Sequence, residues 1–188
     1  MASRHRLIPA ILLTASSHAE VTFDGTLGDA VSLAGDMLIE ESLGAVSTDG
    51  QNLFHSFTTF NVNAGESATF THVTPSIVNI VGRVTGGTES TIAGLLASDA
   101  NLWLFNPNGV VFTDNASLDV DGALYVSTGD YVFDSGGRRF DLDLDSAGVV
   151  MLTDLRGFGF LGDNGSIGID TSNLIEREGQ PTAFAATG

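Results

Sequence analysis

Three acids, Asp141, Asp143 and Asp145, alternate along one short run, which is how the first positions of an EF-hand loop present carboxylates to calcium. That loop also needs Gly at its sixth position and Glu at its twelfth, where this chain has Ser146 and Leu152, so the three acids read as the wet face of a strand. Gly157-Phe158-Gly159-Phe160-Leu161-Gly162 has the spacing of the dinucleotide-binding glycines. That fingerprint works only where a helix opens at the glycines and faces the pyrophosphate; here Asp163-Asn164-Gly165 makes another turn. With no Cys there are no disulfides, thiolate ligands or cysteine nucleophiles. The 4 His include no zinc-binding pair at helical spacing, and neither Gly-x-Ser-x-Gly nor a phosphate loop occurs. His55 sits among Asn52, Phe54, Phe57 and Phe60, a setting that predicts aromatic packing around a hydrogen-bonded structural histidine. The residues therefore predict no catalytic, cofactor or metal site, and no enzyme.

Charge narrows the partners. The 188 residues carry 7 basic groups, none of them Lys, against 23 acids, for a net charge of −16. A basic nucleic-acid surface is excluded, and an anionic membrane surface would repel the chain. Hydrophobic content of 43% with only 16% charged residues is globular composition, and the length predicts one main domain with a real core.

The elements that must hold any site are short strands. No apolar stripe recurs at helical spacing, whereas two-residue alternation does: Leu118 and Val120 against Asp119 and Asp121, and Phe140, Leu142 and Leu144 against the three acids above. Turn chemistry separates the runs, at Asp49-Gly50, Ala64-Gly65, Gly86-Gly87, Asn106-Pro107-Asn108-Gly109, Gly129-Asp130, Ser135-Gly136-Gly137 and Asp163-Asn164-Gly165. All-β is the predicted class. A sandwich, a barrel and a β-solenoid all fit; very short strands and aliphatic or Phe interior candidates favour the solenoid, although no fixed-period repeat is visible. Alternation in a parallel sheet calls for a bare outer face, which a solenoid has. Residues 20–49, broken by Gly25, Gly28 and Gly35, read as an N-terminal cap. Before them, Arg4, His5 and Arg6, an apolar run from Leu7 to Thr14, and Ser17-His18-Ala19 predict an export signal over residues 1–19, its apolar part too short to span a bilayer.

Several ordered motifs carry a family resemblance. Asn52-Leu53-Phe54-His55-Ser56-Phe57, Phe60-Asn61-Val62, Ile77-Val78-Asn79-Ile80, Arg83-Val84-Thr85-Gly86-Gly87, Ala100-Asn101-Leu102-Trp103-Leu104-Phe105 leading into Asn106-Pro107-Asn108-Gly109-Val110-Val111-Phe112, Asn115-Ala116, Leu118-Asp119-Val120 and Phe158-Gly159-Phe160-Leu161-Gly162 fall in sequence. Together they resemble the secretion domain of filamentous-haemagglutinin-type exoproteins, over residues 20–170. The resemblance implies a right-handed parallel β-helix with an N-terminal β cap and extra-helical hairpins. It also implies export to the periplasm and two-partner secretion through an outer-membrane β-barrel transporter with periplasmic POTRA domains, as the front of a large secreted or cell-surface adhesin that meets a host or cell-surface ligand. Under it, Asn52, Phe54, His55, Phe57, Asn79, Arg83, Asn106, Pro107, Asn108 and Gly109 become the candidates for transporter recognition or fold nucleation. The Asn-Pro-Asn-Leu motif that some branches carry upstream is absent. Residues 171–188 read as the start of a further coil, cut short at Gly188.

Each motif also has a plainer role. Pro107 pre-sets φ, and either Asn108 or Gly109 can take a positive φ, so the tetrapeptide predicts a tight corner between residues 102–105 and 110–112. Two other functional classes remain: a small stand-alone adhesin, and a polysaccharide-active β-helix enzyme, which would need two or more acids converging in a cleft with shifted pKa values. Dispersed acids are expected instead.

Overall fold

The computed structural model describes residues 20–141, 148 and 151–170. The export signal expected over residues 1–19, the further coil expected over residues 171–188, and Leu142, Asp143, Leu144, Asp145 and Ser146 of the acidic run lie outside the described residues.

The described elements are all-β. Strand β1 (Val21–Phe23) and β2 (Ser32–Leu33) pair antiparallel, β3 (Asp36–Glu40) leads into a 3-10 turn at Glu41–Leu43, and β4 (Ala45–Val46) follows. The chain then makes successive passes through three parallel sheets. The first pass is β5 (Asn52–Phe60), a bridge at Val62 and β6 (Ser67–Thr71). The second is β7 (Asn79–Val84), β8 (Ser90–Ile92) and β9 (Leu95–Ser98), and the third is β10 (Asn101–Phe105), β11 (Val110–Phe112) and β12 (Ser117–Val120). A fourth begins with β13 (Leu124–Ser127), leaves for the antiparallel strands β14 (Tyr131–Asp134), β15 (Arg139–Phe140) and β16 (Leu155–Gly159), and returns at β17 (Ile167–Ile169).

The first strands of the passes stack as β5-β7-β10-β13, the second as β8-β11-β17, and the third as β6-β9-β12, all parallel. Parallel neighbours joined by turns rather than helices, visited in the same order each time, are consistent with a β-helix. Antiparallel β1 and β4 border β5, as an N-terminal cap requires, but β3 pairs parallel with β6 and already belongs to the stack.

Leu53, Ile80, Leu102 and Leu124 occupy one register position across the first sheet and join Phe57, Phe60, Phe70, Ile92 and Phe112 in the interior cluster. Burying each such side chain contributes about 1.5–3 kcal/mol. The sheet formed by the third strands behaves as alternation predicts: in β3 the buried Met37 and Ile39 lie between exposed Asp36, Leu38 and Glu40, and Leu118 and Val120 pack inward while Asp119 is exposed. The first sheet overturns the expectation of a bare outer face. Phe54, Val81 and Trp103, one residue out of phase with the interior row, are buried with Phe105 under β14, β15 and β16 through Val132, Phe140 and Phe158. Both faces being covered, strands such as Asn101–Phe105 read as continuous apolar runs.

Candidate functional site

Asn106-Pro107-Asn108-Gly109 is the corner from the first sheet to the second, between β10 and β11. Gly109 N–H donates to the Asn106 carbonyl at 3.0 Å, closing the turn. The Asn106 Oδ1 accepts from Asn108 N at 2.9 Å, an Asx turn laid over it. Of the two residues able to take positive φ, Gly109 does, at φ 123°. A Cβ there would also stand 3.1 Å from the Ser166 carbonyl oxygen. The corner is bound on both sides. Asn106 Nδ2 donates to the Thr88 carbonyl and to Ser90 Oγ, each at 3.0 Å, and Asn108 Nδ2 donates to the Gly86 carbonyl at 2.6 Å, all on the preceding pass. On the other side Gly165 N–H donates to the Pro107 carbonyl at 2.7 Å. Asn106 is buried, Pro107 half-buried and Asn108 exposed.

Asn52 and Asn79 head β5 and β7 at one register position, and Asn101, which heads β10, completes the row. Asn79 Nδ2 donates to Asn52 Oδ1 at 2.9 Å, and Asn79 Oδ1 accepts from Asn101 Nδ2 at 3.1 Å and from Trp103 Nε1 at 3.2 Å. Main-chain groups close both ends: Asn52 Nδ2 donates to the Thr153 carbonyl at 2.7 Å, and Asn101 Oδ1 accepts from Ala123 N at 2.8 Å. The row's third member was legible as an Asn followed by two apolar residues at the head of each strand. Its spacings of 27 and then 22 residues hide it from any search for a fixed period.

Arg83 is fully buried on the outer face of the first sheet. Its Nε donates to Ser56 Oγ at 2.7 Å, Nη2 to Thr26 Oγ1 at 2.8 Å and Nη1 to the Asp141 carbonyl, while Cζ lies 4.4 Å from the Phe140 ring centroid. Asp24 takes hydrogen bonds from Ser56 Oγ at 2.5 Å, Thr26 Oγ1 at 2.7 Å and Thr85 Oγ1 at 3.0 Å. Burial alone would raise that carboxyl, but these donors outweigh it and hold the pKa below its ordinary value. One guanidinium thus ties the loop after β1, the stacked sheet and the β14–β16 excursion together. Nothing in the local sequence marks Asp24, Thr26 and Ser56 as its companions.

Phe54 belongs to the outer aromatic cluster, whereas His55 and Phe57 face the interior. The His55 ring is fully buried, with ring centroids of Phe23 at 6.0 Å, Phe70 at 5.8 Å and Phe57 at 6.1 Å; among the described residues no side chain hydrogen-bonds its nitrogens, and the Leu43 backbone is the polar group that acts on it. Burial pushes its pKa down to about 4, against the weaker pull of the Leu43 backbone. Gly44 lets the ring in, since a Cβ there would come within 2.8 Å of it.

Three groups of candidates are therefore separate in space: the Asn106 to Gly109 corner, the Asn52 and Asn79 row, and the two faces around Phe54, His55, Phe57 and Arg83. They bind successive passes to one another rather than converging on a cleft. The family model of the TPS secretion domain, the domain of two-partner secretion, matches residues 19–182. The chain belongs to this family. The heme/hemopexin-binding protein of Haemophilus influenzae, itself a two-partner secretion exoprotein, is 38% identical over 73 residues, which make up 36% of this chain and 8% of that protein. The chain thus spans less than a tenth of that relative's length. No solved structure matches. TPS exoproteins are secreted or surface-exposed by way of the periplasm and are typically non-enzymatic.

In this TPS domain the expectation of dispersed acids fails at one place. Glu20 and Glu66 lie together, and Glu20 is raised to about 7, by burial first and then by the hydrogen bond and charge of Glu66. The glycines of residues 157–162 lie on and beyond β16 rather than at a helix start. Among the described residues no three His, Cys, Asp or Glu side chains are grouped to hold a metal ion, and no helix is long and apolar enough to cross a membrane.

Proposed function

We propose that this TPS domain is the N-terminal secretion unit of a large adhesin-like exoprotein, and that it seeds a right-handed parallel β-helix as the chain leaves the cell. The partner is an outer-membrane β-barrel transporter whose periplasmic POTRA domains take the chain before it folds. The ligand of the exoprotein body is a host or cell-surface molecule. The observation that supports this reading is the parallel edge that each of the three stacks presents among the described residues. Strands β12, β13 and β17 each have a parallel neighbour on one side and are terminal in their sheets among the described residues. Such edges are templates on which the next pass can pair. Long parallel solenoids nucleate slowly because non-local contacts form only after loop closure, so a preformed end removes the slowest step. Each pass folded outside cannot slip back through the pore, which biases movement outward without a nucleotide.

In this reading Asn106, Pro107, Asn108 and Gly109 serve first as a corner that places the second and third sheets, as do the Asn52 and Asn79 row and the buried Phe54, His55, Phe57 and Arg83. The test is release of the chain into the medium with and without the cognate transporter, alongside Gly109→Val and Asn108→Ala. Release that needs the transporter and drops in both variants is the expected result. Release regardless of the transporter would overturn the reading in favour of a stand-alone binding module.

A further inference from the structure

The sequence has two Asn-Gly pairs, Asn108-Gly109 and Asn164-Gly165, and the fold sets them side by side. Glycine is required at both: Gly109 has φ 123°, and a Cβ on Gly165 would collide with the Asn108 carbonyl. Each Asn is held by its side-chain amide. Asn108 Nδ2 donates to the Gly86 carbonyl at 2.6 Å and to Asn106 Oδ1 at 3.1 Å, and Asn164 Nδ2 donates to the Thr128 carbonyl at 2.5 Å and to Asp130 Oδ2 at 3.1 Å. The glycine amides are engaged as well, Gly109 N–H with the Asn106 carbonyl at 3.0 Å and Gly165 N–H with the Pro107 carbonyl at 2.7 Å. An Asn followed by Gly is a chemically weak point, because no side chain on the glycine keeps its nitrogen from the Asn side-chain carbon. That attack needs the glycine N–H to lose its proton to base and the Asn side chain to turn onto the nitrogen. The folded corner denies both at Asn108, since Gly109 is buried with its N–H engaged and the Asn108 amide is fastened to the preceding pass.

We propose that Asn108-Gly109, with Asn164-Gly165 as its companion, is a self-modification site that is open while the chain is unfolded and closed by folding. In the unfolded chain the Gly109 nitrogen gives its proton to base and bonds to Cγ of Asn108. The bond from Cγ to Nδ2 breaks, and the side-chain nitrogen takes a proton from water and leaves as ammonia. Water then opens the cyclic imide at one carbonyl to give aspartate, or at the other to give isoaspartate, with no oxidant, reductant or enzyme. Either product weakens the corner. Aspartate has no N–H to offer the Gly86 carbonyl and sets a charge against it, while isoaspartate adds a carbon to the main chain between β10 and β11. In the folded chain the reaction waits for the corner to open; releasing the hydrogen bonds of Asn108 Nδ2 to Gly86 and of Gly109 N–H to Asn106, at about fivefold each, slows it about thirtyfold. The consequence for export rests on the transporter reading above: a chain that waits unfolded in the periplasm loses the corner that places its second and third sheets, so the site times the unfolded state.

The test holds the whole chain at mildly alkaline pH, folded in buffer and unfolded in guanidinium chloride, and follows conversion at each Asn by peptide mass spectrometry, with isoaspartate read by enzymatic methylation. Asn108 and Asn164 should convert in denaturant ahead of Asn115, which precedes Ala116, and conversion at Asn108 should be about thirtyfold slower in the folded chain. Gly109→Ala should slow conversion at Asn108 in denaturant, where folding plays no part. Asn108→Asp, one of the two products made directly, should raise the unfolding constant about fivefold in urea, and Asn115→Asp should leave it unchanged. Equal conversion at Asn108 in the folded and unfolded chain, conversion in denaturant no faster than at Asn115, or an Asn108→Asp chain as stable as the parent would each overturn the proposal. The first two comparisons use the parent chain, so they decide even where a variant fails to fold. No transporter enters the experiment; its failure leaves the secretion reading standing, and release without a transporter leaves this result standing.

Discussion

Folding this chain should move a proton between two residues far apart in sequence, with almost no net exchange near pH 5.5. Burial lowers His55 from 6.5 to about 4, so below pH 6.5 the unfolded chain binds a proton that the folded chain refuses, and stability falls as pH drops toward 4. Glu20 is raised from 4.5 to about 7, so above pH 4.5 the unfolded chain loses a proton that the folded chain keeps, and stability falls as pH rises toward 7. Over the overlap of the two windows each group is worth about 2 kcal/mol, with opposite sign. Urea unfolding followed by the fluorescence of Trp103, the single tryptophan, should therefore give a parent stability that changes much less between pH 4.5 and 6.5 than that of either single variant. In His55→Leu, which keeps an apolar side chain of similar volume, only the Glu20 effect remains, and stability should rise by about 2 kcal/mol as pH falls across that range. In Glu20→Gln it should fall by about as much. Asp24, Glu41 and Asp134, all held below their ordinary values, contribute only below this window. Parallel profiles for the parent and His55→Leu would refute the reasoning, because they would mean that the ring keeps its proton inside the aromatic cluster.

Other perturbations have expected outcomes of their own. Gly109→Val forces a β-branched residue to positive φ against the Ser166 carbonyl and should cost about 1–3 kcal/mol in urea unfolding, with Gly109→Ala losing less. Asn79→Ala strips the acceptor from Asn101 and Trp103 and the donor from Asn52; about 2–4 kcal/mol of stability should go, with a change in the native Trp103 emission that Asn115→Ala does not produce. Arg83→Met removes the hydrogen bonds to Ser56, Thr26 and Asp141 and should cost about 2–4 kcal/mol. Because Arg83 holds the excursion to the stack, limited proteolysis should then cut residues 131–159 before the stacked strands, whereas loss spread evenly along the chain would contradict that role.

Much of the architecture could be read from local chemistry. Alternation in Leu118 to Asp121 and Gly-rich punctuation are properties of neighbouring residues, and the turns at Gly50, Gly65, Gly109 and Gly137 all have the positive φ that only glycine adopts freely. The family motifs were legible for the same reason, as ordered short strings. What stayed hidden depended on which strands meet. The second row of apolar residues, Phe54, Val81 and Trp103, looked like a breach of alternation until β14 to β16 covered it, because a sequence does not say which face a later excursion will return to.

The candidate site divides along the same line. Composition, charge and turn chemistry by themselves determined an acidic all-β chain and a corner at Asn106 to Gly109, since each of these rests on residues adjacent in the chain or on simple counts. Only the tertiary structure decided that His55 is sealed among Phe23, Phe57 and Phe70, that Asn101 completes the row begun by Asn52 and Asn79, that Arg83 reaches Thr26 and Asp141, and that Glu20 meets Glu66. The reason is physical: desolvation and pairing energies depend on distance in space, and parallel stacking brings together residues whose separations along the chain follow no single period.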